Sequence, residues 1–130
     1  MTRKTFLSLS SSTALAVGLF ALLAPGVLLG SVKMAVPSEA ANVMARTVGV
    51  LLLFTGGLGL AVRGHPDSPT MRVILGANLA LQIMILPIDP MAYANGVFST
   101  WGSFLPNTIL HIFLASGFAY YLWRSTPRTS

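Results

Sequence analysis

Five polar side chains recur at helical spacing within apolar stretches of this sequence. Asn78, Gln82 and Asp89 fall at offsets of four and seven, which places them on one face of a helix. Asn107 and His111 are four positions apart in a later stretch. Histidine is the side chain that titrates near neutral pH, and a nearby carboxylate can orient its ring. The pattern therefore suggests either a small ligand or proton site, or hydrogen bonds that fasten helices together.

The composition of the chain indicates a membrane protein. Of its 130 residues, 54% are hydrophobic and 8% are charged, against roughly 25% charged in ordinary globular chains. A soluble protein this small exposes much of its surface and needs charge to stay in water. The net charge of +5 is spread along the ends of apolar runs, which argues against nucleic-acid binding. Because cysteine is absent, disulfides and cysteine-ligated metals are excluded.

Four apolar stretches are long enough to cross a bilayer as helices, which takes roughly 20 residues each. They cover residues 13–30, 43–62, 71–89 and 104–123, and the first of them can begin as early as Phe6. Unbroken apolar runs such as residues 50–54 exclude the alternating pattern of barrel strands. We expect Pro25 to kink the first span and Pro87 to kink or end the third. Short loops favour antiparallel neighbours, so the sequence predicts an all-α, integral membrane four-helix bundle in one domain.

The basic residues predict the orientation of the bundle. Six of them flank the spans on one side: Arg3, Lys4, Arg63, Arg72, Arg124 and Arg128. The other side has Lys33 and Arg46. The positive-inside rule then places both termini in the cytoplasm, across a bacterial inner membrane. As an alternative, a secretory signal could be cleaved near Ser38, which would leave three spans and an N-terminus outside.

Depth estimates bring polar side chains of three spans to one level of the outer leaflet. From the helical rise, Arg46 and Asn107 lie about 5 Å below the outer boundary and His111 about 10 Å. Asp89 reaches a level similar to that of Arg46, and Gln82 lies about one turn deeper than His111. The sequence thus predicts that four of these side chains converge and that Gln82 completes a candidate ligand site from one turn deeper.

Three interpretations of this convergence stay open. The cluster can be structural, with Arg46 neutralising Asp89 or extending to the head groups. It can instead line a site for a quinone or a lipid-like molecule. Thirdly, His111 can ligate the metal of a haem or chlorin pigment, which a visible absorption spectrum would reveal. Apart from that ligand, we expect no metal site and no catalytic residue.

Small residues predict which helices pack together. The second span has a stripe of them at four-residue spacing, and the third offers two more: Ala45, Gly49, Gly57, Ala61, Gly76 and Ala80. Close approach along small residues stabilises helix pairs in lipid, so we expect these two spans to pair. The spacing from Gly59 to Gly64 is that of a phosphate-binding loop, but His65 replaces the required lysine and no strand precedes it.

Two segments resemble a known family. They are GLFALLAPGVLLG at residues 18–30 and ARTVGVLLLFTGGLGL at residues 45–60, the latter with Arg46 and Gly49 near its start. This half of the chain resembles the small four-helix bacterial membrane proteins of the DoxX-like kind. The resemblance implies a four-helix bundle, and the better-known relatives are membrane subunits of quinone-linked oxidoreductases. It assigns no catalytic residue.

The sequence favours a non-catalytic accessory or structural subunit of a larger membrane complex. The loops are short, and no nucleotide or metal motif is present. The expected partners are membrane lipids and other membrane subunits or further copies of the chain. The alternative is a quinone- or lipid-binding, redox-linked membrane protein that uses the outer-leaflet cluster. A transporter would require oligomers, because four helices alone form a poor pathway.

Overall fold

The computed structural model describes residues 1–32 and 38–125 and shows helices and no β-strand in these ranges. In chain order the helices are α1 (Arg3–Leu23), α2 (Pro25–Ser31), α3 (Glu39–Val62), α4 (Pro69–Ile85), α5 (Ile88–Ala94) and α6 (Leu105–Arg124). A short 3-10 helix, Trp101–Ser103, precedes α6. The all-α prediction is confirmed. Lys33 and Arg128, which contribute to the predicted orientation, lie outside the described residues.

The first helix begins ten residues before the predicted start of the first span. The Thr2 side chain caps it by accepting a hydrogen bond from the backbone N–H of Thr5. The serine-rich first half remains helical because its hydroxyls bond within the helix, from Ser10 to the Leu7 carbonyl and from Thr13 to the Leu9 carbonyl. The helix ends before Pro25, which begins α2, so the predicted interruption at this proline is confirmed.

The third predicted span consists of two helices. Ser68 caps α4 by accepting from the backbone N–H of Met71. The helix ends at Ile85, two residues before Pro87, which has no N–H to continue the backbone ladder. Leu86 and Pro87 keep right-handed helical dihedral angles, so α5 begins directly afterwards at Ile88. The predicted break at Pro87 is confirmed, and it places Asp89 in the first turn of α5.

The most extensive helix packing joins α1 to α3. Gly18 and Gly49 lie against each other, and a Cβ atom built on Gly49 would be 2.7 Å from the Gly18 carbonyl oxygen. Farther along, Gly56 and Gly59 leave room for Ser11. Backbones approach this closely only where side chains are absent, as in small-residue contacts within membranes.

The predicted pairing of the second and third spans is wrong. The helix pairs are α1 with α3 and α4 with α6. In α3, Gly49 is buried against α1 and Ala45 is half-buried, whereas Gly57 and Ala61 are exposed. In α4, Ala80 is exposed, and the nearest side-chain atom to a Cβ on Gly76 belongs to Leu122 of α6, at 3.9 Å. A stripe of small residues indicates that some helix approaches, but it does not specify which one.

The two helix pairs meet at the end that holds the start of α1 and the end of α6. The buried core lies there and consists of Phe6, Leu7, Met71, Leu75 and Phe118. Phe6 and Phe118 stack edge-to-face with ring centroids 5.0 Å apart. Gly117 leaves space for the Phe6 ring. We call this region the terminal end of the molecule.

Polar contacts reinforce the terminal end. Arg3 forms an ion pair with Asp67 in the α3–α4 loop and donates to the His65 carbonyl at 2.5 Å. The Tyr121 hydroxyl donates to the Met1 carbonyl at 2.7 Å. Arg72 of α4 donates to the carbonyls of Leu122 and Ser125 where α6 ends. These contacts bring the start of α1, the α3–α4 loop, the start of α4 and the end of α6 to one side of the molecule.

Three helical stretches within the described residues are long and apolar enough to cross a membrane: Arg3–Leu23, Glu39–Val62 and Pro69–Ala94. These correspond to the first three predicted spans. The α6 helix is 20 residues long, which suffices for a bilayer core about 30 Å thick, but it includes Asn107 and His111 and is more polar.

Candidate functional site at the junction of the last helices

A buried amide and an imidazole join α4 to α6. The Gln82 side chain is 7% exposed, and its Oε1 lies 2.5 Å from Nδ1 of His111. With Oε1 as the acceptor, Nδ1 carries the ring proton and Nε2 is the unprotonated nitrogen of the neutral ring. Within the part of the chain that the structure describes, Nε2 bonds to no protein group. His111 can therefore accept one further hydrogen bond.

One turn nearer the start of α6, a carboxylate joins α5 to the same helix. Asp89 Oδ2 accepts a hydrogen bond from Asn107 Nδ2 at 2.8 Å and a longer one from the Thr108 hydroxyl at 3.5 Å. The helix break at Pro87 allows this contact. A new helix, α5, begins directly after it and carries Asp89 in its first turn. The α4–α5 segment is thus fastened to α6 at two levels.

Four of the five candidate site residues lie at this junction: Gln82, Asp89, Asn107 and His111. Sequence reasoning missed Thr108. Its signal was available, because Thr108 is three residues before His111 and therefore lies on the same helical face. Asn78 belongs to the face of Gln82, but its amide returns to the Ile74 carbonyl of its own helix at 2.9 Å.

Arg46 does not join this junction. Its side chain is exposed, and the salt bridge formed within residues 1–32 and 38–125 is that of Arg3 with Asp67. The predicted neutralisation of Asp89 by Arg46 is wrong, because α3 packs along α1 and α2 whereas Asp89 turns to α6. The alternative, in which Arg46 extends to the head groups, agrees with its exposure.

No family model, curated protein or solved structure matches this chain. The chemistry of the junction therefore has to be judged from its own residues. Neutral hydrogen-bonding groups dominate it, with one carboxylate and one imidazole. In the described residues, no three histidine or acidic side chains come close enough together to hold a metal ion.

Replacing Gln82 with leucine is expected to lower the free energy of unfolding by about 1 kcal/mol, because interhelical hydrogen bonds in membranes contribute about 0.6 and at most ~2 kcal/mol. Asn78→Leu is the matched control, since the Asn78 amide bonds only within α4. Unfolding by sodium dodecyl sulfate in dodecyl maltoside micelles, followed by circular dichroism, measures both variants. Equal losses in the two variants would contradict a fastening role for the bond between Gln82 and His111.

Proposed function

We propose that the chain is a membrane-embedded accessory subunit that stabilises or docks onto a larger membrane complex. The observation that carries this proposal is that the polar side chains at the junction of the last helices bond to one another. Gln82 bonds to His111, and Asp89 bonds to Asn107, so these groups fasten the helices of a small scaffold. The loops are too short to form a separate soluble domain.

In this proposal the helices cross the inner membrane four times, with α6 as the fourth span. The contacts of Arg3 with Asp67 and of Arg72 with Ser125 support an even number of crossings, because both ends of the described chain lie on one side. Basic residues concentrate on that side, which supports its cytoplasmic location by the positive-inside rule.

Exposed small residues on α3 offer a surface for a neighbouring helix. Nothing lies within 4 Å of a Cβ atom built on Gly57, and Ala61 follows it one turn later on the same face. A helix of another subunit can approach the backbone closely there. Docking along this face would give a role to these two small residues, which no helix in the described ranges covers.

Purification in mild detergent through an affinity tag is expected to yield the chain together with another membrane protein. Gly57→Leu should reduce the recovered partner severalfold without unfolding the chain, because the site of the new side chain is open. Ala16→Leu, at an exposed position of α1, is the matched control and should leave recovery unchanged. Migration as a lone monomer after gentle purification would count against an accessory role.

A second candidate function is a quinone-linked one, and the unbonded Nε2 of His111 favours it. A hydroquinone hydroxyl could donate to this nitrogen, and the resemblance to DoxX-like proteins points to the same chemistry. Solvent extraction of the purified protein should then release about one quinone per chain. His111→Phe should abolish this bound quinone, whereas Asn78→Leu should retain it. Quinone recovered only at the level of the surrounding lipid would exclude this function.

A further inference from the structure

A groove of about 360 Å³ lies at the terminal end, between the start of α1 and the second half of α6. Its lining is mostly apolar and aromatic: Met1, Phe6, Phe113, Tyr120 and Tyr121, with Ser116 and Gly117. Gly117 allows the groove to form, because any side chain there would collide with the Phe6 ring. The groove is separate from the junction of Gln82 with His111.

The shape of the groove suits a hydrocarbon chain. It follows α6 from Phe113 to Tyr120, seven residues or about 10 Å along the helix axis. Both of these side chains are exposed on the surface of the chain. In a membrane-spanning helix, such a surface faces the lipid, so an acyl chain can lie in the groove without displacing any helix.

A cation is held at the end of the groove. The Arg124 guanidinium donates to the Tyr120 hydroxyl at 2.7 Å and lies over the Tyr120 ring, 5.6 Å from its centroid. No carboxylate pairs with Arg124 in the ranges that the structure describes. The tyrosine therefore positions a guanidinium whose remaining donors are available to an anion.

The surrounding charge favours an anionic occupant. Arg72 lies at the same end and is bonded to backbone carbonyls rather than to an acid. Asp67, the acid at this end, is already paired with Arg3. Basic pockets beside membrane helices on the cytoplasmic side recognise the phosphates of anionic lipids.

We propose that this groove binds one anionic phospholipid, with an acyl chain against Phe6 and Phe113 and its phosphate at Arg124. The inference rests on the membrane location in the proposed function, but not on the accessory role. Binding of this lipid would fix the depth of α6 and fill the space between α1 and α6.

Native mass spectrometry of the intact chain in dodecyl maltoside, with phosphatidylglycerol and phosphatidylcholine added in equal amounts, tests the site. We expect one phosphatidylglycerol to bind at least fivefold more tightly than phosphatidylcholine, since one basic residue near the surface contributes ~1 kcal/mol. Arg124→Gln should remove this preference. Arg63→Gln is the matched control, because it removes the same charge at the same end of the molecule. Arg63 donates to the Leu60 carbonyl of its own helix, away from the groove, so this variant should change the lipid preference by less than about twofold.

A second pair of variants tests the apolar part of the groove. Ser116→Leu fills it and should weaken binding of both lipids about tenfold, whereas Ala119→Leu, at an exposed position outside the groove, should not. Circular dichroism confirms that both variants remain folded.

Three results would overturn the proposal. Equal effects of Arg124→Gln and Arg63→Gln would indicate diffuse attraction rather than a site. Unchanged lipid binding by Ser116→Leu would place the lipid elsewhere. Because the chain has no cysteine, a Ser116→Cys variant that forms disulfide-linked dimers in vesicles would show that a second copy occupies the groove instead. None of these results depends on finding a partner subunit, so they are distinct from failure of the accessory role.

Discussion

Replacing Gly49 with leucine is expected to separate α1 from α3 and to lower the free energy of unfolding by about 3 kcal/mol, the upper part of the usual range for overpacking. A Cβ atom on Gly49 would lie 2.7 Å from the carbonyl oxygen of Gly18 and 2.9 Å from the backbone nitrogen of Leu22. Backbone atoms cannot rotate away as a flexible side chain can, so the helices themselves must move apart. Unfolding by sodium dodecyl sulfate in dodecyl maltoside micelles, followed by circular dichroism, measures the loss.

The matched control for this prediction lies in the same helix. Gly57→Leu adds the same side chain at a position where nothing lies within 4 Å of the new Cβ atom. Its stability should stay within about 0.5 kcal/mol of the original chain, as for other substitutions on open surfaces. If Gly57→Leu destabilised the isolated chain as much as Gly49→Leu, close packing of α1 on α3 could not be the reason for either effect.

The existence of the helices could be predicted from the sequence because it depends on the length of the apolar stretches. Their interruptions at Pro25 and Pro87 could also be predicted, because proline lacks a backbone N–H. The first span was predicted to start at residue 13, or at Phe6 at the earliest, because hydroxyl side chains look polar in a hydropathy count, whereas α1 begins at Arg3. In the structure, Ser10 and Thr13 bond to carbonyls one turn earlier, so these polar groups fit within a helix.

The partner of each helix was less predictable. From the sequence, Gly49 could pack against Gly76 as readily as against Gly18. The spacing of small residues requires only that another small residue lie opposite on the neighbouring helix. The polar residues were predicted to converge from their depth along the helices. Depth was sufficient for Asp89 with Asn107, but it placed Gln82 a turn deeper than its partner His111. It also failed for Arg46, because two residues at one level can face different neighbours.

The salt bridge and hydrogen bonds of the terminal end were not predicted from the sequence. They depend on which loops and helix ends lie side by side, and this follows from the pairing of α1 with α3 and of α4 with α6. The basic residues of this end were interpreted only as an orientation signal. In the structure, Arg3 also bonds to the α3–α4 loop and Arg72 bonds to α6.

Arg72 is expected to be the most important of these basic residues for stability. Its guanidinium is half-buried and donates to the Leu122 carbonyl at 3.2 Å, to the Ser125 carbonyl, and to the Ser125 hydroxyl at 3.4 Å. The last carbonyls of a helix have no hydrogen-bond partner within the helix and carry partial negative charge. A cation at this end can donate hydrogen bonds to them and is also attracted by their charge. Arg72 thus joins the start of α4 to the end of α6.

Arg72→Gln is expected to lower the free energy of unfolding by about 2 kcal/mol, the usual contribution of hydrogen bonds from a charged donor. Arg72→Lys should recover part of this loss, because an ammonium keeps the charge and can donate, but it sits on a different stem from the guanidinium Nη1 that makes all three bonds. Arg63→Gln removes the same charge from an exposed position at the same end and should change stability by less than about 0.5 kcal/mol.

The same detergent titration measures these three variants in a Trp101→Phe background, in which fluorescence reports Trp123 alone, one residue after Leu122 in α6. Local loosening of the α6 end in Arg72→Gln should change this fluorescence at a lower detergent fraction than it changes the helical signal. If Arg63→Gln were as damaging as Arg72→Gln, net charge rather than the bonds to α6 would govern stability at the terminal end. Because those bonds hold the start of α4 and the end of α6 on one side of the molecule, their loss would also remove one support for an even number of membrane crossings.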